Sequence, residues 1–196
     1  MRKSGHWPYA AVLGTAVFLS LFFLAQSLWI PVKAELAQWL IHRSWQAALE
    51  GVVAARPWPW ADTRPAALLD VPAHGVRQVV LEGNSGRNLA FGPVFVDGTS
   101  GGQDRVISGH RDTHFRFLGA LREGDLIGLS TPRSERWYEV RQLDVVDSRQ
   151  RELLIEPGRD RLSLVTCYPL DSPVAGGPLR LVVTALPLSR RSPSSG

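Results

Sequence analysis

From Tyr9 to Val32 the chain is an almost unbroken apolar run of mostly Ala, Val, Leu, Phe, Ile and Trp, and no Asp, Glu, Lys or Arg occurs between Ser4 and Val32. About 20 such residues in helical form cross a bilayer core of about 30 Å, so residues 9–32 predict a transmembrane helix. A cleaved secretory signal is the competing reading. The apolar stretch is longer than the usual h-region of about 7 to 15 residues, and Val32-Lys33-Ala34 is a poor cleavage site, which favours an uncleaved signal anchor. Tyr9 and Trp29 suit the two interfaces. Basic residues flank both ends, Arg2 and Lys3 on one side, Lys33 and Arg43 on the other. Residues 1–8 are read as cytoplasmic and the body of the chain as exported.

Beyond the anchor the pattern changes twice. Ala34 to Ala55 lacks Pro, and Leu36, Leu40, Ala47 and Gly51 trace a loose face at helical spacing, predicting a juxtamembrane helix. Arg56 to Pro72 carries Pro57, Pro59, Pro65 and Pro72, so 33–71 reads as that helix followed by a Pro-rich connector, with the compact domain beginning near Pro72. From there to residue 187 the pattern is one of strands. Val76–Leu81, Asn88–Val96, Arg105–Ser108, Asp125–Ser130, Trp137–Val146, Arg161–Thr166 and Leu179–Ala185 alternate or run apolar between turn signals. One short helix is predicted at Phe115–Leu121. Seven strands with short links imply a closed barrel or a sandwich. The tail, 188–196, is too polar to pack and reads as disordered.

Composition narrows the partners. Lysine occurs only at Lys3 and Lys33, and the arginines are interleaved with Asp and Glu, as in RQLDVVDSRQRELLIEPGRDR. With no basic block carrying aromatics, the high pI marks a solvated surface of mixed sign rather than a nucleic-acid interface. The chain holds one cysteine, Cys167, at the end of the run LSLVT. In an exported domain cysteines usually pair. A lone one is a buried inert thiol, half of an intermolecular disulfide, or a reactive group.

Two residues elsewhere suit the third reading. A thiolate attacks a carbonyl, and a nearby cation makes it available. An imidazole protonates the departing amine, and a guanidinium supplies fixed N–H donors for an oxyanion. His110 in ISGHRDTHF, Cys167 in RLSLVTCYPLD and Arg180 in GPLRLVV provide these three groups. Arg180 follows Cys167 through YPLDSPVAGGPL, whose Pro and Gly content suits a loop between adjacent antiparallel strands, bringing both side chains to one barrel mouth.

SGHRDTHF, LREGDLI, LSLVTCYP and PLRLVV, in that order between about Val76 and Ala185, resemble the sortases, the cysteine transpeptidases of bacterial surfaces. SGHRDTHF with VTCYPLD is most similar to the class GN sortases of Gram-negative bacteria. The resemblance implies a closed eight-stranded β-barrel with short helices behind an N-terminal membrane helix, one strand more than the pattern shows. It implies His110, Cys167 and Arg180 as catalytic histidine, nucleophile and arginine, with no cofactor. Cys167 would attack a backbone carbonyl in a C-terminal sorting motif of an exported protein, and the thioacyl enzyme would pass that protein to an amine acceptor at the cell envelope. Arg180 would hold either the oxyanion or the substrate backbone. The implied location is the cytoplasmic (inner) membrane, single-pass, with the catalytic domain on the extracytoplasmic side.

Neighbouring residues carry weaker signals. His114 lies four after His110, but no Cys, Asp or Glu cluster completes a metal site, so it reads as packing at the short helix or bordering the substrate pocket. Asp112 either orients His110 or caps the short helix. Thr166 lines the pocket or continues its strand, Tyr168 and Asp171 shape the following loop, and Arg111 reads as a surface or loop residue. Two alternatives compete. An L,D-transpeptidase is also a β-rich envelope enzyme, but its Ser-x-Gly-Cys arrangement is absent before Cys167. A non-catalytic, membrane-tethered β-barrel binding module would keep Cys167 buried and inert.

Overall fold

The computed structural model describes residues 7–150, 158–172 and 176–188. The predicted disordered tail beyond Leu188, and most of the predicted cytoplasmic N-terminus, lie outside the described residues. The chain divides into two compact units, Met1–Trp39 and Leu40–Gly196.

One helix, α1 (Trp7–Leu49), contains both the predicted membrane segment and most of the predicted juxtamembrane helix, with Pro31 inside it. It is the one described helix long and apolar enough to cross a membrane. Leu13, Phe18, Phe22, Leu24 and Leu28 are all exposed along it. The helix stops at Leu49, short of the expected Ala55, and Gly51 follows with φ +90°. Its buried side chains in the second unit are Ile41, Ser44 and Trp45, spaced as one helical face. The predicted face is therefore displaced, because Leu36 and Gly51 are exposed.

Eight strands close into a barrel: β1 (Pro65–Val71), β2 (Val76–Leu81), β3 (Val94–Phe95), β4 (Asp104–Ser108), β5 (Leu126–Thr131), β6 (Ser134–Asp147), β7 (Arg161–Cys167) and β8 (Leu179–Pro187). Around the wall they run β1-β2-β3-β4-β7-β8-β6-β5, with β5 pairing back onto β1. The β2–β3 and β4–β7 neighbours are parallel, and the rest are antiparallel.

The strand absent from the sequence reading is β1, which lies in the expected Pro-rich connector, so the barrel begins at Pro65 rather than near Pro72. The reason is burial on both faces. Ala67, Leu69 and Val71 enter the barrel core, while Leu68 packs outward with Ile41, Trp45, Val79, Leu81 and Val94. A strand covered on both sides loses the polar alternation that announces a strand. The expected strand Asn88–Val96 shrinks to β3. Ser85 instead caps a short helix, α2 (Gly86–Leu89), accepting a hydrogen bond from the Asn88 N–H at 3.2 Å. The expected helix Phe115–Leu121 is a single 3-10 turn, Arg116–Gly119.

The core is filled by Leu69, Val80, Ile107, Phe115, Ile127, Tyr138, Leu162, Leu164 and Val183. Leu162 and Leu164 sit opposite Ala185 and Val183 in the β7–β8 register, and all four belong to this core. Alternation along a strand then turns Ser163, Val165 and Cys167 to the outer wall.

Candidate active site

The β4–β7 ladder is parallel, from Asp104 opposite Arg161 to Ser108 opposite Val165. It continues past the end of β4, where the Gly109 N–H donates to the Val165 carbonyl at 3.1 Å. The Thr166 hydroxyl donates back to the Gly109 carbonyl at 2.8 Å. Carried two residues past the end of β4, the same register sets His110 opposite Cys167. On the other flank, Cys167 is paired directly with Arg180 across the antiparallel β7–β8 ladder. Directly paired residues share a face, with Cβ atoms about 5 Å apart. His110, Cys167 and Arg180 thus end three neighbouring strands on the outer wall of the barrel.

Local packing holds this arrangement. A Cβ on Gly109 would lie 2.7 Å from the Phe115 ring, so only glycine lets that ring close under the His110 loop. Phe115 is fully buried, stacks edge-on with Phe117 at 5.8 Å, and donates its N–H to the His110 carbonyl at 2.9 Å. The SGHRDTHF segment is therefore a closed loop whose ends are fixed by the ladder and by an aromatic anchor. On the arginine side, Arg180 Nη1 donates to the carbonyls of Gly177 at 2.7 Å and Leu179 at 2.8 Å. A guanidinium carries five N–H donors, so anchoring it through one nitrogen orients the others.

His110 is exposed, and Cys167 is a half-buried free thiol. That exposure disfavours the inert reading, which needs a sequestered sulfur. Thr166 is 2 % exposed and its hydroxyl donates to the Gly109 carbonyl, so it ties the His110 segment to β7. Asp112 does not cap the 3-10 turn, whose N-cap Phe115 has no side-chain cap bond. Its carboxylate is gripped by Arg111 through two bonds, Nε to Oδ1 at 2.7 Å and Nη2 to Oδ2 at 3.0 Å. Those bonds hold the Asp112 carboxyl below the usual carboxylate range, with the nearby His110 contributing less. His114 is half-buried, and desolvation pushes its ring below the usual histidine value, opposed by a backbone hydrogen bond at Ala90. Its carbonyl accepts from Gln78 Nε2 at 2.9 Å, fixing the loop to β2. Tyr168 packs on the barrel core and donates its N–H to the Leu179 carbonyl at 3.0 Å; Asp171 is exposed in the turn that follows.

Arg111 is the residue that sequence reasoning misplaced. It is buried, at 6 % exposure, and its Nη1 donates to the Pro169 carbonyl at 2.8 Å. An arginine beside an acidic residue in a polar loop carries no local mark of burial, so only the tertiary structure finds it. Among the described residues no group of three or more His, Cys, Asp and Glu side chains is placed to hold a metal ion. A cavity of about 640 Å³, lined by Arg64, Glu82, Arg105 and Arg133 among others, shares none of the residues of this surface.

The sortase domain family model matches residues 69–188, from within β1 to just past β8. The chain belongs to the sortase family. This sortase is 37 % identical over 79 residues to sortase D of Bacillus subtilis (strain 168), an overlap of 40 % of the chain, and spans 39 % of the length of that relative. Among solved structures it is similar to sortase C-1 from Actinomyces oris, at 29 % identity and a TM-score of 0.54, covering 65 % of this chain and 76 % of that one. A sortase C of Clostridium perfringens, solved with the C-terminal cell wall sorting motif, shares the fold at 21 % identity and a TM-score of 0.54, covering 80 % and 89 % of the two chains. The eight-stranded barrel expected from the resemblance is thus the barrel of this sortase.

Proposed function

We propose that this sortase is a cysteine transpeptidase that cleaves a C-terminal sorting motif of an exported protein and joins the upstream part to an amine. The observation that carries the reading is the placement of an exposed imidazole, a half-buried free thiol and an anchored guanidinium at the ends of three adjacent strands. Membership of the sortase family, and the Clostridium perfringens sortase C solved with a C-terminal cell wall sorting motif, support this choice of substrate class.

The Cys167 thiolate attacks the scissile carbonyl carbon, and the carbonyl electrons move to oxygen, where Arg180 is placed to meet the charge or to hold the adjacent substrate backbone. Collapse breaks the C–N bond, and the departing amine takes a proton from His110. This leaves a thioester on Cys167. An incoming amine attacks it and gives a proton to His110; the C–S bond breaks and the thiolate is restored, so atoms and charges balance over the cycle. An open outer wall suits an extended peptide, which must enter and leave with a long protein attached.

α1 serves as an uncleaved anchor through residues 9–32, with the barrel on the extracytoplasmic side of the inner membrane. The SGHRDTHF and VTCYPLD segments support placement with the class GN sortases. Family membership disfavours the L,D-transpeptidase alternative.

Cys167→Ala should abolish transfer of a cognate peptide while leaving the melting temperature unchanged, since the thiol is only half-buried. Full activity in that variant sinks the mechanism. Mass spectrometry of the wild-type enzyme mixed with peptide alone should show the acyl adduct on Cys167. Arg180→Lys keeps the charge but loses the planar donor array, and should lower kcat by about 100-fold, the usual loss for an oxyanion donor. Comparable turnover by that variant argues against an oxyanion role.

A further inference from the structure

Past the Gly109–Val165 and Thr166–Gly109 bonds the β4–β7 ladder ends, and the His110 loop needs another tie to stay in register with the Cys167 segment. We propose that Arg111 is a positioning residue that sets His110 against Cys167, because its buried guanidinium joins the residue after His110 to the Pro169 carbonyl two positions past Cys167. The inference rests on the transpeptidase reading above.

The geometry is that of a clamp. Arg111 and Pro169 are 58 positions apart in sequence, and the Nη1 bond between them is 2.8 Å long. The other edge of the guanidinium is held by both oxygens of Asp112. Burying a cation is costly unless it is paired and hydrogen-bonded. Here the carboxylate supplies the pairing while itself remaining 68 % exposed, so the Asp112 side is solvated and the Pro169 side is enclosed. A planar fork can serve two directions at once, and a lysine ammonium cannot reproduce both. The clamp has a packing counterpart. A Cβ on Gly119 would come within 2.7 Å of Leu170 Cδ1, so the 3-10 turn after the histidine loop also presses on the loop after the cysteine. Arg111 is positively charged next to the reacting thiol, but its side chain is committed to Asp112 and Pro169, which separates its task from that of Arg180.

The test uses the full-length chain, with kcat and KM for a sorting-motif peptide measured per titrated thiol, alongside melting temperature. Arg111→Lys should leave KM within about twofold and lower kcat by about 10-fold, and Arg111→Met by about 100-fold, the scale of a 1 Å misplacement of reacting groups. The rate at which iodoacetamide alkylates Cys167 should lose its dependence on His110 in both variants. Asp112→Asn retains the Pro169 bond but loosens the fork, and should lower kcat several-fold at constant KM; it serves also if both Arg111 variants fail to fold. A kcat per thiol within twofold of wild type in these variants, whatever the melting temperature, overturns the positioning role and assigns Arg111 to stability alone. A rise in KM at unchanged kcat overturns it equally. A wild-type chain without Cys167-dependent turnover overturns the transpeptidase reading, and this inference with it.

Discussion

The two ends of the β4–β7 pair use the same kinds of side chain to opposite effect. At the entry, Asp104 lies opposite Arg161, and the guanidinium grips the carboxylate through Nε at 2.9 Å and Nη2 at 2.6 Å, with the Asp104 side chain only 1 % exposed. At the exit, Arg111 grips Asp112 in the same bidentate way, but here the carboxylate is exposed and the spare nitrogen of the fork crosses to the Cys167 loop. The entry is a closed ion pair that pins two strands. The exit spends the same chemistry on placing two reactive side chains that remain open to solvent. Parallel neighbours make this division natural, since both strands deliver their C-terminal ends, and the loops that follow, to one edge.

If the entry is purely structural, breaking it should cost stability and spare chemistry. Asp104→Ala leaves Arg161 without this carboxylate partner in a buried setting, for which about 3–5 kcal/mol is the expected loss. Denaturant unfolding measures that loss. Turnover per titrated thiol in the fraction still folded should match the wild type. A proportional fall in turnover would mean that the two ends of the pair are coupled, and the division drawn between them would fail.

The same contrast separates what could be read from the sequence from what could not. Strands such as β5, β7 and β8 were legible because apolar and turn-forming residues bracket them, and their ends move by only a residue or two in the structure. β1 was illegible for a physical reason: PAALLDV is covered on both faces and begins with Pro65, so it imitates the connector before it. Asn88–Val96 was misread because the Ser85 cap, a local hydrogen bond, outweighs the apolar pattern. At the site, His110, Cys167 and Arg180 stood out by residue type and order, but their shared place on the outer wall needs the register of three strands. Arg111 and Thr166 were underestimated because their contacts cross 58 and 57 positions, which no local pattern encodes.

Gly109 tests the exit from its packing side. Alanine there drives a Cβ to 2.7 Å from the buried Phe115 ring, and overpacking of that kind costs about 1–3 kcal/mol. Unlike Asp104→Ala, Gly109→Ala should also lower turnover per folded molecule, because the residue that must shift carries His110. Thermal melts and thiol-normalised kcat together decide the matter. A variant destabilised to the expected degree with unchanged kcat would show that the ring, and not the loop, yields.

The smallest expected effect is in acid. Asp112 at the exit and Asp125 just before β5 are both held below the usual carboxylate range, Asp112 first by its Arg111 bonds, Asp125 first by its bond to His74 Nε2 at 3.1 Å and then by the Arg122 N–H. A carboxylate depressed in the folded state binds fewer protons there than in the unfolded chain. Its contribution to stability is therefore complete above the unfolded value of about 3.9 and is lost as pH falls through the folded one. Melting temperature should hold on descent from neutrality to about pH 4 as far as these two groups are concerned, and fall below it. Asp125→Asn should shrink that fall without touching kcat, whereas Asp112→Asn should shrink it and lower kcat, because only Asp112 is attached to the clamp beside the thiol. Equal effects of the two substitutions on kcat would erase the distinction between a carboxylate that merely stabilises the barrel and one that also sets the site.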